Sequence, residues 1–474
     1  GRTTRLVHDG YQFDMGPTLF LMPAVFAETY AALGERMEDH LDLVRLDPTY
    51  RVHFHDDTVL DLTSDLGKMQ AQLEAIEPGS FGRFLAFLHE GERHYHLSLE
   101  RFVGRNFNSL AEYFSLKNLP LLFQLKALTK HHANTSSFFR DPRLRAAFTF
   151  QNMYLGLSPF DAPATYSLLQ YTELADGVWF PRGGMYRTVE TLVAIAEGLG
   201  VRMRYNAPVS QIDLEGTKVS GVTLSNGEKL RADLVIANAD LPYVYAKLLP
   251  DDGTAKVLAA KKYTSSALMF YWGVEGERSS ALMHHNVFLA DHAYKASFDR
   301  IFKELTLPDE PSFYVCAATR SEADFAPAES DGLMVLVPVG HINEHHPQDW
   351  QTLRGRARET VISRLERLGL HNLSGRIRFE ETFGPPDYLD TLNLAKGAAF
   401  GLSHNFLQVG YLRPHNRHPR YGNLYFVGAS THPGTGLPIV LLSARLVVER
   451  ILAEQGRTIP RQVAVSQSLR EKTT

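Results

Sequence analysis

The segment 423–452, NLYFVGASTHPGTGLPIVLLSARLVVERIL, puts a short apolar run, a glycine-bearing loop and a helix start in direct succession. Residues 424–427 suit a buried strand, Gly428, Gly434 and Gly436 punctuate the loop, and from Pro438 the spacing becomes helical. Proline at the first helical position wastes nothing, because that amide has no partner in any helix. Val440, Ala444, Val447, Val448 and Ile451 then share one apolar face. Such a junction aims free backbone N–H groups and the positive end of a helix dipole at one point, which attracts an anion. An ordinary corner, whose glycines only let the backbone turn, accounts for the spacing as well.

Two other groupings carry chemistry. Asp141 and Arg145 stand four apart in 141–170, DPRLRAAFTFQNMYLGLSPFDAPATYSLLQ. On a helix they face one side and pair there; lining an apolar tunnel, they become candidates for proton transfer and charge stabilisation. His284–His285 and His345–His346 raise the question of a metal. Adjacent side chains point apart on regular elements, and Gly340 and Asn343 indicate a turn beside His341 and His345, so no metal site is expected.

The elements that must position these groups follow from pattern. A helix is expected over 24–33, a hairpin over 53–62 with Asp56 and Asp57 at its turn, and mostly helix over 64–130. Asp14 and Gly16 before Pro17 make a turn on composition alone. Residues 118–132, NLPLLFQLKALTKHH, either pack on the protein's own core or lie in a membrane interface with Lys126 and Lys130 at the headgroups. The run Trp179-Phe180-Pro181-Arg182-Gly183-Gly184 marks a loop before a helix over 188–199; its glycine pair permits close approach of a ligand or ends one element and begins the next. Strands are expected at 209–212, 219–224, 229–230 and 233–237, with Asn226-Gly227 as a hairpin turn. Residues 265–274 and 332–339 read as strands of a second sheet, with a helix over 354–368 between such strands.

Composition narrows the classes. A chain of 474 residues exceeds one compact core. The balance of 49 basic and 53 acidic residues gives no footprint for nucleic acid. Cys316 is the single cysteine, which excludes an internal disulfide, a cysteine redox pair and an iron–sulfur cluster, so electrons would pass through a bound cofactor. No apolar run approaches the roughly 20 residues of a spanning helix, and no signal peptide is visible.

The string 427–438, VGASTHPGTGLP, closely resembles the C-terminal flavin-binding signature of the bacterial carotenoid desaturases. Phe13-Asp14-Met15-Gly16-Pro17 and Arg413-Pro414-His415-Asn416 resemble further words of that family, and the resemblance runs from Gly1 to about Arg450. It implies an α/β fold, a two-dinucleotide-binding-domain flavoprotein with a mixed-sheet substrate domain and a helical region. The implied partition is an FAD-binding domain from 1–30, 186–247 and 414–456, a substrate domain from 31–66 and 248–413, a helical substrate- or membrane-facing region at 67–185, and a tail at 457–474. In the family a GGR triplet follows a GxGxxG unit, so the chain is expected to lack a strand, a helix and a second strand ahead of Gly1.

By the same resemblance Arg2, Asp14, Gly16, Pro17, Val209, Gly428, Ala429, Gly436, Leu437 and Pro438 lie against FAD. Asp141 and Arg145 would assist catalysis, and Phe148, Trp179, Arg413, Thr431 and His432 would line the substrate space. The implied activity is desaturation of a linear isoprenoid polyene by hydride transfer to flavin and proton loss, with oxygen or a quinone as final acceptor. The wording of Ile76-Glu77-Pro78-Gly79-Ser80, Arg182-Gly183-Gly184-Met185-Tyr186 and Leu437-Pro438-Ile439-Val440-Leu441 places it closest to the dehydrosqualene desaturases. Phytoene desaturases and terminal-methyl oxidases are the alternatives, and a non-catalytic lipid-binding fragment is the alternative of another class. A cytoplasmic protein peripheral to the membrane is expected, with no nucleic-acid partner.

Overall fold

The structure, a computed structural model, describes residues 1–107, 109–113, 115 and 118–457. The expected tail therefore lies almost wholly outside the described residues. A seven-stranded sheet runs in the order Ile377–Phe383, Ser266–Glu275, Ser330–Val339, Phe313–Cys316, His285–Phe288, Tyr50–His53, Val59–Leu62. Its neighbours pair antiparallel except His285–Phe288 with Tyr50–His53, so the sheet is mixed.

The period of two along Ser266–Glu275 divides its side chains between two interiors. Leu268, Phe270, Trp272 and Val274 pack with Val335 and Val337 against Leu353, Ala357, Val361 and Leu365 of the helix Trp350–Arg367. Ala267, Met269 and Tyr271 face the other way, onto Tyr11, Phe13, Cys316 and Met334. The second face thus meets the hairpin of Thr4–His8 and Tyr11–Met15, whose register runs Thr4↔Met15 to His8↔Tyr11. Its turn is Asp9-Gly10, both at positive φ (47° and 81°), the pairing such two-residue turns demand.

A three-stranded meander, Val209–Glu215, Lys218–Leu224 and Lys229–Arg231, leads into Val235–Ala237, which pairs parallel with Leu424–Phe426. The helix Leu437–Glu454 follows that strand, one residue ahead of its expected start. The hairpin with Asp57 at positive φ, and the helices Pro23–Ala32 and Arg187–Gly198, form where patterning put them.

The segment 118–132 departs from expectation. The helix Leu119–Gln124 stops, Lys126 takes a positive φ of 48°, and a new helix begins at His131. Lys126 turns inward, its Nζ 2.5 Å from Glu90 Oε2 and 2.8 Å from Asn134 Oδ1, and is not presented to headgroups. Burying that pair ends the regular helix; Phe123 and Leu128 are left exposed. Among the described residues no helix is long and apolar enough to cross a membrane.

Trp272 is fully buried at the centre of the sheet's helix-covered face. Trp272→Ala is expected to cost about 3–5 kcal/mol through lost transfer energy and the cavity left behind, read as a lower denaturant midpoint with an unchanged slope.

Candidate active site

The corner expected to hold an anion is built as its sequence implies. Leu424–Phe426 is buried throughout, and the chain leaves it through Gly428, Gly434 and Gly436 at φ 115°, 148° and 109°. A Cβ at Gly434 would stand 2.6 Å from His404 Nε2, and one at Gly428 3.2 Å from Asn238 Nδ2, so these positions take glycine for space as well as for φ. The loop is then pinned. Ser430 Oγ donates to Asp240 Oδ1 at 2.5 Å and Thr431 Oγ1 donates to Gly428 O at 3.0 Å.

Arg413 is the hub of this corner. Its guanidinium is fully buried and donates to Thr431 O (2.9 Å), Ser403 O (3.0 Å), Gln408 O (3.0 Å), Leu402 O (3.1 Å) and Ala429 O. Five carbonyls meet a group that has five N–H donors, so every donor is used. Burial lowers its pKa to about 10, which leaves it charged at neutral pH. Expected to line the substrate space, Arg413 borders a small cavity with Phe107, Tyr411 and His432, and its hydrogen-bonding capacity is spent on the backbone.

The other expected cofactor residues converge on the same side. Arg2 Nη2 lies 3.7 Å from Asp240 Oδ1, next to the Ser430 anchor. A Cβ on Gly16 would fall 2.0 Å from Arg2 O, so the Gly16-Pro17 turn closes against the chain at Arg2. Asp14 is the penultimate residue of the strand Tyr11–Met15, and its carboxylate accepts from the amides of Met185 (2.7 Å) and Tyr186 (3.0 Å). Burial pushes that carboxyl up and the two amides pull it back. Asp14 thereby binds two of the expected ligand segments to each other, in place of closing its own turn. Val209 opens the meander opposite Leu224.

These residues fit an anionic dinucleotide such as FAD. The helix Leu437–Glu454 begins at Gly436 with no side chain capping its first amides, and Pro438 stands in its first turn, so free N–H groups and the dipole's positive end face the glycine cradle.

The expected substrate residues divide. Trp179 packs beside Phe20, Phe26 and Met185 in the cluster that includes Leu437 and Leu441, at the base of the corner, with its indole N–H donated to Asp176 O at 3.0 Å. His432 Nε2 donates to Arg105 O at 2.9 Å, and burial lowers its pKa to about 4. Thr431 turns its hydroxyl into its own loop. Phe148 is fully buried among Phe84, Phe87 and Phe139, a core position and not a wall.

Asp141 and Arg145 do not pair. Asp141 caps the helix Pro142–Ala147, accepting from Arg143 N at 2.8 Å and from the Arg143 guanidinium at 2.8 and 3.1 Å. Those bonds hold its carboxyl below the usual range despite an opposing effect of burial. Arg145 donates to Phe139 O at 2.8 Å. Helical spacing failed here because Asp141 lies outside the helix it starts, where its side chain turns to the first-turn amides. Both residues are thus engaged structurally, and neither bonds the flavin corner.

A small chamber of about 20 Å³ beneath the sheet's second face is lined by Asp14, Thr18, Phe180, Cys316, Phe325 and Met334. That is room for about one water molecule. Behind its wall lies a polar column that sequence reading missed. Thr18 Oγ1 bonds Tyr314 OH (2.9 Å), Tyr314 OH bonds His285 Nδ1 (2.6 Å), and the His285 ring packs on Tyr50 at 5.5 Å. Tyr50 stacks on Tyr154 at 6.2 Å, and both rings adjoin the fully buried Glu173. Its sequence signal is slight: Glu173 is the only charge in the run 162–175, APATYSLLQYTELA.

His284 and His285 do not diverge as neighbours on a regular strand would, because the strand begins only at His285. Their rings lie 4.4 Å apart, and a ring nitrogen of each comes within 4.8 Å of the other and of Cys316 Sγ. Hydroxyls of Ser321 and Tyr314 already hold one nitrogen of each.

Comparison with known proteins agrees with this architecture. Residues 1–452 match the family model described as flavin containing amine oxidoreductase. The chain is 49% identical over 454 residues to the zeta-carotene-forming phytoene desaturase of Myxococcus xanthus, covering 95% of this chain and 87% of that protein. It is 43% identical over 480 residues to a phytoene desaturase of Phycomyces blakesleeanus, covering 99% and 82%. It is 31% identical over 468 residues to the 4,4'-diaponeurosporene-forming 4,4'-diapophytoene desaturase of Staphylococcus aureus, covering 97% and 93%. Among solved structures, an oxidoreductase from Methanosarcina mazei superposes with a TM-score of 0.61 at 16% identity, covering 95% of this chain and 91% of that one; this likeness is one of fold.

Two substitutions test the assignment of parts. Arg413→Lys offers three donors to five carbonyls and is expected to cost about 2 kcal/mol or more, at 1–3 kcal/mol per unpaired buried group, with flavin lost on gel filtration at a lower denaturant concentration than wild type. Asp141→Asn is expected to lower the melting temperature while holding turnover within about threefold, a barrier change under about 1 kcal/mol.

Proposed function

This chain belongs to the flavin-containing amine oxidoreductases, in their carotenoid desaturase branch, and on that premise we propose that it dehydrogenates the forty-carbon polyene phytoene. The enzyme is FAD-dependent. The observation that carries the finer reading is the order of identities: 49% to a zeta-carotene-forming phytoene desaturase against 31% to a diapophytoene desaturase. The thirty-carbon substrate expected from the wording at 13–17, 76–80, 182–186 and 437–441 gives way to the forty-carbon one on that ground.

Bound FAD supplies a two-electron acceptor for the hydride removed from an allylic CH₂–CH₂ unit. The protein's own part is to hold, orient and dry the site. The amides of Gly436, Leu437 and Ile439 and the Gly428 and Gly434 cradle receive the anion, Arg2 with Asp240 closes its near side, and Asp14 fastens the 183–186 turn beside it. Tyr271, Phe180, Phe325 and Met334 give the neighbouring walls their apolar area. A polyene offers no polar handle, so its affinity rests on that area, at about 25 cal/mol per Å² removed from water.

We further place the enzyme at a membrane surface in the cytoplasm, with oxygen or a quinone reoxidising it. The exposed Phe123 and Leu128 support an apolar contact through which a bilayer-dissolved substrate could enter.

Incubation of the flavin-loaded protein with phytoene and with dehydrosqualene, each in liposomes, followed by chromatography with absorbance detection, tests the reading. Conversion of phytoene to a longer chromophore at a higher kcat/KM than dehydrosqualene is expected. Turnover of the thirty-carbon chain alone would overturn it.

A further inference from the structure

We propose that His284, His285 and Cys316 form a binding site for a single cuprous ion, in the wall of the small chamber beneath the sheet. The site stands apart from the desaturase reading above, since no step of that reaction calls on these three side chains.

Strand register brings the donors together. His285 pairs with Cys316 on one side of the strand Phe313–Cys316, and Cys316 pairs with Met334 on the other. Directly opposite residues share a face of the sheet, so an imidazole, a thiol and a thioether stand in one row. His284, just ahead of its strand, is tied to the same neighbour by the Ala317 amide, which donates to its carbonyl at 2.8 Å. Adjacent histidines were expected to point apart. Here a ring nitrogen of each lies within 4.8 Å of the other and of Cys316 Sγ. A three-coordinate ion with bonds of about 2.0–2.3 Å holds its ligands roughly 3.6 Å from one another, so the donors need close in by roughly 1 Å at most.

The surrounding hydrogen bonds prepare the imidazoles as ligands. His284 Nδ1 bonds Ser321 Oγ at 2.7 Å and His285 Nδ1 bonds Tyr314 OH at 2.6 Å, whereas Nε2 of both rings is buried with no hydrogen-bond partner among the described residues. Tyr314 OH also bonds Thr18 Oγ1 at 2.9 Å and the sulfur of Cys316. One proton order satisfies that hydroxyl: Thr18 and the His285 Nδ1–H donate to its oxygen, and its own proton goes to sulfur. The order leaves a lone pair on His285 Nε2. Metal-bound imidazoles are oriented in this way, through the nitrogen that does not bind. As plain core atoms, the two Nε2 would be desolvated with nothing in return.

Charge and softness choose the ion. Arg320, whose charge bears on His284, is already paired with Asp331 at 2.9 Å, and the chamber carboxylate Asp14 is taken up by two amides. When the ion binds, the S–H bond breaks, its proton leaves to water, and sulfur and the two nitrogens each give an electron pair to the metal. Cu(I), one thiolate and two neutral imidazoles then sum to zero, which suits a buried site; Zn(II) would leave a positive charge there. A thiolate with a thioether beside it is also a donor set that favours Cu(I).

The test uses the full chain loaded with FAD, reduced and kept free of oxygen. Cu(I) is added in the presence of bicinchoninate, a competing cuprous chelator, and small molecules are removed by gel filtration. Expected are one copper per chain and a copper X-ray absorption spectrum with sulfur and imidazole nitrogen neighbours. Cys316→Ser and His285→Phe, checked for wild-type flavin content, are expected to lose at least about a hundredfold in copper affinity, and Tyr314→Phe, which keeps every donor, about tenfold to a hundredfold. A wild type that carries no copper against the chelator overturns the proposal, whether or not the variants fold. So does copper without a sulfur neighbour, copper held by Cys316→Ser at wild-type affinity, or uptake of zinc in place of copper.

Discussion

One buried cation governs the shape of the flavin corner. A guanidinium enters a protein interior only where its desolvation is offset by hydrogen bonds on every donor. Arg413 meets that condition with carbonyls from 402–403, 408 and 429–431, three stretches that share no secondary structure. The glycine loop has few side chains to hold it and no ladder of its own. Its curvature, and so the direction in which its amides point, is inherited from Arg413 on one side and from the Ser430–Asp240 bond on the other. Removing either leaves backbone that can turn freely at three glycines.

The mixed sheet performs a different task with equally simple means. Alternation along Ser266–Glu275 sends the bulkier aliphatic and indole side chains towards the covering helix, and Ala267, Met269 and Tyr271 towards the chamber. The face with the small and polarisable groups is the one the Tyr11–Met15 strand crosses. A Cβ on Gly273 would lie 2.8 Å from the Tyr11 ring, and one on Gly332 3.3 Å from Phe13. The sheet is thus smooth where the cofactor-side hairpin must lie flat on it.

What could be read from sequence was whatever depends on local period or on turn chemistry. The strand, loop and helix of 423–452 and the Asn226-Gly227 hairpin follow from spacing alone, and the structure repeats them almost residue for residue. The Asp9-Gly10 turn, absent from the expectations above, carries the same kind of local signal. Side-chain roles were another matter. Asp141 and Arg145 obeyed helical spacing on paper, yet the helix boundary fell between them. Glu173 gave almost no local sign, since its character comes from rings on 50 and 154 that only the fold brings near. Lys126 broke a helix for a partner at Glu90, thirty-six positions away. Each case turns on long-range burial, which a single sequence does not display.

The parallel pairing of Val235–Ala237 with Leu424–Phe426, and the Ser430–Asp240 bond spanning 190 positions, carry a consequence for how the molecule comes into being. Contacts that distant in sequence must be preceded by ordering of what lies between, because loop-closure entropy is met before the contact returns anything. Five of the sheet's seven strands and its covering helix lie within that interval and pair or pack with one another. The corner that receives the dinucleotide is therefore among the last parts to assemble, on a platform already in place, and the nucleotide joins a nearly finished fold.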